Sequence, residues 1–202
     1  LTDWSDWHQT EDEDYTWEAT VPFDEDANYD ISLGYTDLAG HSLEEDYSQS
    51  FTVDKTAPDT DKMTVSYSTP LKERILNAIT FGYYKESVEV TIKAEDLTSG
   101  IDYLTWTYVK ETGASNNNVA EKTEVISRDA LEFTEDGKTA TGHFTLKATE
   151  TEQYRGSISF TATDMAGNTS ADKFDDGRIS IVDTISPEVN ITYKPAETGT
   201  TL

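Results

Sequence analysis

The run Tyr35-Thr36-Asp37-Leu38-Ala39-Gly40-His41-Ser42 returns as Ala162-Thr163-Asp164-Met165-Ala166-Gly167-Asn168-Thr169. Each copy is followed by Val-Asp-x-x-x-Pro, at Val53-Asp54 to Pro58 and at Val182-Asp183 to Pro187. Units that end alike mark a piece of a tandem array. The Asp-x-Ala-Gly copies lie 127 residues apart and the Val-Asp copies 129, so one repeat is a whole domain. Residues 1–54 then form the C-terminal part of a truncated domain and 55–183 a complete one. Residues 184–202 supply the first strand of a third.

Ahead of each Asp-x-Ala-Gly, apolar residues alternate with polar ones: Tyr29, Ile31, Leu33 and Tyr35 in the first copy, Ile158, Phe160 and Ala162 in the second. Period-two alternation buries one face of a strand and wets the other. A turn with Gly40 or Gly167 follows, then a final strand at 51–53 or 179–182. Tyr15 to Val21 reads as an earlier strand, with Trp17 in core or inter-strand packing. In the middle unit, strands are expected at Met63–Tyr67, Ser87–Ala94, Ile101–Val109, Glu124–Ser127, Ala130–Phe133 and Thr139–Leu146. Leu104, Trp106 and Tyr108 share one face. Between the first two of these strands, Leu71, Ile75, Ala78 and Ile79 fall at helical spacing behind Thr69-Pro70, which predicts one short helix. The expected fold is an all-β antiparallel two-sheet sandwich with a single helical insertion.

The chain has no Cys, so core packing alone must hold the fold. A formal charge of −25 repels nucleic acid and anionic membrane surfaces, and neither is expected as a partner. No run reaches the roughly 20 apolar residues of a membrane span. Signals that would secrete or anchor the protein are expected outside these residues. Acidic runs at 11–14, 24–26 and 172–176 fall where alternation stops, and read as solvated loops.

The segments Tyr35–Gly40, Phe51–Pro58, Ala94–Ile101 and Ala162–Asn168 together resemble the Ig-like repeats of large bacterial cell-surface proteins, especially Gram-positive ones. The chain departs from that pattern at His41, where Asn is usual, and at Thr184-Ile185-Ser186 in place of Lys-Thr-Ala. The resemblance implies an extracellular, non-catalytic module that serves as spacer or adhesive stalk beside neighbouring Ig-like domains. Related readings are a specific binder of a host protein such as immunoglobulin or of a glycan, and an accessory region of a secreted glycosidase.

Hydrolytic chemistry needs a nucleophile, a base and an orienting group in one place. His8, His41 and His143 are far apart, and neither Gly-x-Ser-x-Gly nor His-Glu-x-x-His occurs, so no catalytic residue is assigned. Hard cations take several carboxylate oxygens on irregular backbone, which points to Asp54, Asp59, Asp61 and Asp183 at the unit junctions. A structural calcium is the one cofactor these acids suggest. The competing account, which weighs more, has the aspartates accept backbone N–H groups in turns. Asp172 to Gly177 resembles half a calcium loop, but Phe174 takes a ligand position. Trp4 and Trp7 beside acidic loops, and the Tyr83-Tyr84 pair, are the candidate ligand-binding aromatics.

Overall fold

The computed structural model describes residues 5–10, 17–43, 47–68, 83–84, 86–110, 119–175 and 180–192. The expected helix and Trp4 lie outside these residues. Strands form where the alternation is cleanest. β7 (Ser87–Glu95) buries Val88, Val90, Ile92 and Ala94, and β8 (Ile101–Lys110) buries Leu104, Trp106 and Tyr108. One sheet orders β10 (Glu132–Phe133), β11 (Thr139–Lys147), β7 and β5 (Thr64–Ser68). The other orders β6 (Tyr83–Tyr84), β14 (Ser180–Val182), β12 (Tyr154–Asp164), β8 and β9 (Val119–Ile126), with β13 (Lys173–Phe174) also on β12.

The inner faces of both sheets supply one core, which makes the fold a two-sheet sandwich. Trp106 of one sheet stacks on Phe144 of the other, with centroids 4.0 Å apart and planes 4° apart. Each fully buried Val, Leu or Ile stabilises by about 1.5–3 kcal/mol relative to exposure, and this replaces the missing disulfide. His143 points outward between Gly142 and Phe144, as its place in the alternation predicts.

Four details differ from the expectations. β6 runs parallel to β14, with Ile181 opposite Tyr83 and Val182 opposite Tyr84, while the other strand pairs among the described residues are antiparallel. The run 130–133 yields only a two-residue strand, because Arg128–Ala130 forms a 3-10 turn in which the Ala130 N–H bonds the main-chain carbonyl of Ser127. Trp17 is 58% exposed, since β1 (His8–Gln9) and β2 (Trp17–Glu18) pair over two residues only. Asp175 is buried, not solvated, and accepts a hydrogen bond from Tyr67 Oη.

Before Asp54 lies the hairpin of β3 (Ala27–Leu33) and β4 (Tyr47–Val53). Its register repeats that of β12 and β14. Ala27 faces Val53 as Tyr154 faces Val182, and Tyr29 faces Phe51 as Gly156 faces Ser180. Phe23, Tyr29 and Phe51 cluster with centroids 4.8 to 5.4 Å apart. Leu33 is nevertheless 41% exposed where its counterpart Phe160 is 1%, because no second sheet faces this hairpin among the described residues.

β12 also connects the two ends of the middle unit. Its first residue, Tyr154, pairs with Val182 at the chain's exit, and its last, Asp164, lies beside Asp54 where the chain comes in. The ten steps of roughly 3.3 Å between the first and last of its 11 residues separate the two poles by about 33 Å.

Candidate functional site

The two Asp-x-Ala-Gly copies fold into the same loop. Asp37 Oδ1 accepts the N–H groups of Ala39 and His41 at 2.9 and 2.8 Å, and Asp164 Oδ1 accepts those of Ala166 and Asn168 at the same distances. Gly40 and Gly167 close the turns at φ 92° and 93°, a conformation that costs glycine nothing and other residues strain. Thr36 bonds Ser42 as Thr163 bonds Thr169, at 2.8 and 2.9 Å. His41 Nδ1 meets Asp37 Oδ2 at 2.9 Å where Asn168 Nδ2 donates to Asp164 Oδ2 at 2.8 Å. The turn role expected of these aspartates is thus their geometry.

The Val-Asp exits also match. Asp54 Oδ1 accepts the N–H of Thr56, and Asp183 Oδ1 that of Ile185. The intervening N–H, on Lys55 or Thr184, goes to Asp26 Oδ1 or Gln153 Oε1.

The surroundings of the two loops separate them. Asp54 reaches into the middle unit: its Oδ2 accepts the Ser99 N–H at 3.0 Å, and its main-chain oxygen accepts from Asn168 Nδ2 at 3.2 Å. Ser99 belongs to the β7–β8 turn, where Asp96 Oδ1 accepts the N–H groups of Thr98 and Gly100 at 3.1 and 2.8 Å. The carboxylates of Asp54, Asp96 and Asp164 thereby come within 4.8 Å of one another. Asp96 and Asp164 are 6% and 1% exposed. Two like charges at that distance repel by roughly 3 kcal/mol at an effective dielectric constant of about 20. Among the described residues none of the three makes an ion pair, and Lys138 Nζ donates to Thr98 O at 2.6 Å instead.

Of the junction acids singled out from sequence, only Asp54 joins this group. Asp59 Oδ1 caps a 3-10 turn by accepting the Asp61 N–H, Asp61 is exposed, and Asp183 lies exposed at the opposite pole. Asp96 was not among them. Its signal was the Asp96-x-x-Ser-Gly100 turn, with Gly100 at φ 79°.

Trp7 is 55% exposed. Tyr84 packs against the core near Tyr67, and its carbonyl accepts the Asp183 N–H, so Tyr83 and Tyr84 belong to the strand pair that carries the exit. Burial, then Glu152, pushes the Tyr154 phenol up to about 12. His41, together with the loop N–H groups, holds the Asp37 carboxyl below its ordinary 3.8. His8, His41 and His143 stay apart: His41 is on Asp37, and His143 on Thr91. No helix among the described residues is long and apolar enough to cross a membrane. No family model matches the chain, and no curated protein matches it.

Proposed function

We propose that the chain is a non-catalytic piece of a tandem Ig-like array, a spacer or adhesive stalk of a bacterial surface protein. The observation that carries this reading is the placement of Asp54 and Asp183 at opposite ends of β12. A unit whose chain leaves at the pole opposite its arrival adds its full length to an array. The hydrogen bonds from Ser99 and Asn168 to Asp54 fix the incoming segment on the unit it joins, as a stiff spacer requires.

Small-angle scattering of the whole chain tests the reading. A compact globule of 202 residues has a radius of gyration of about 17 Å. The spacer reading expects a clearly larger value with an extended distance distribution, and a value near that of the globule sinks it.

A binder of glycans is the second reading. Trp7 and Trp17, both more than half exposed, supply aromatic faces of the kind that stack on sugar rings. A glycan array probed with the chain and with its Trp7→Ala/Trp17→Ala variant decides it: binding that the variant loses supports the binder, and no signal from either protein removes it.

A further inference from the structure

We propose that Asp54, Asp96 and Asp164, together with the Ser99 hydroxyl, hold one hard divalent cation, calcium. The ion joins the incoming segment to both loops of the middle unit. Three carboxylates that approach within 4.8 Å, two of them buried, concentrate negative charge with no ion pair to offset it among the described residues. The turn N–H groups of the two buried aspartates all converge on Oδ1, so the loops are shaped without Asp96 Oδ2.

A second observation is independent of the acids. The Oγ atom of half-buried Ser99 is sealed from solvent and has no hydrogen-bond partner among the described residues. The residue sits on the seam between two of the carboxylates: the Ser99 N–H bonds Asp54 Oδ2, and the N–H groups on either side of it bond Asp96 Oδ1. Buried polar oxygens are almost always partnered, and a cation here supplies the missing partner. An all-oxygen set on irregular backbone suits calcium, which accepts six to eight such ligands and fills the remainder with water; magnesium demands a stricter octahedron. The inference stands on this geometry whether the module serves as spacer or binder.

Calorimetric titration of the whole chain with calcium chloride in about 0.15 M salt, where diffuse attraction to the acidic surface is screened, tests it. One site with a dissociation constant of about 1 mM or tighter is expected, with magnesium weaker. The melting midpoint should rise with calcium and return with chelator. Asp96→Asn keeps Oδ1 for the turn and removes the charge, and should weaken calcium at least tenfold; Asp59→Asn should leave it unchanged. Ser99→Ala separates a ligand from a packing defect. As a ligand its loss weakens calcium binding, whereas a merely orphaned hydroxyl makes the variant equally or more stable at unchanged affinity. Absence of calcium binding at millimolar concentration, or equal affinity in the wild type, Asp96→Asn and Ser99→Ala, overturns the proposal. Should Asp96→Asn fail to fold, Ser99→Ala decides alone.

Discussion

Asn168 donates through Nδ2 to the main-chain carbonyl of Asp54, 114 residues earlier in the chain, and to Asp164 Oδ2 within its own loop. A single amide group therefore ties loop and incoming segment together. Asn168→Ala removes both bonds and leaves the Asp54 carbonyl without that donor. We expect a loss of about 1–2 kcal/mol in denaturant unfolding, with faster hydrogen exchange at the Ser99 amide as the segment loosens. Unchanged exchange there would show that Asp54 is held without Asn168.

Trp106 is the hinge of core packing, stacked on Phe144 and 2% exposed. Trp106→Ala should cost about 3–5 kcal/mol, measured by urea unfolding. Trp17→Ala, at an exposed site, should change stability by less than about 0.5 kcal/mol.

Two glycines should respond differently to the same added methyl. A Cβ on Gly156 would fall 2.1 Å from Val109 O, a backbone atom of the neighbouring strand, whereas one on Gly40 meets nothing within 4 Å. Gly156→Ala must spread β12 from β8, and is expected to lower the melting midpoint far more than Gly40→Ala. The latter carries only the strain of φ 92°, about 1–2 kcal/mol.

Tyr154 makes the alkaline limit of stability measurable. Its pKa rises from 10.0 in the unfolded reference to about 12 in the fold, so the folded state favours the protonated phenol. Its contribution is fully present below pH 10 and is lost as pH rises toward 12. Ultraviolet titration should show a late-ionising tyrosine that is lost in Tyr154→Phe, and the variant should flatten the fall in stability over that window.

The strands were legible because alternation is a local property. Val88 to Ala94 and Leu104 to Tyr108 state their inward face in the order of residues, and the Asp-Gly turns state their geometry through residues two to four positions apart. The site was half legible for the same reason. Asp54 and Asp164 stood out through the repeat, and the turn role of both follows from their neighbours. Asp96 became part of the site only when β7, β12 and the linker met in space, which no spacing in the chain encodes. Trp17 misled because an aromatic in an alternating run is buried only if a second sheet arrives to cover it. The pairing of β6 with β14 joins segments almost a hundred residues apart, and two-residue strands leave almost no periodic trace.

That parallel pair gives the middle unit a particular response to tension. Force that arrives through Asp54 and leaves through Asp183 pulls β14 along its own length, against β12 on one side and β6 on the other. Hydrogen bonds loaded this way must break together, where a strand peeled from its end gives them up one by one. Under such a load the unit would fail by sliding, and β14 is one of the strands whose slip would release it.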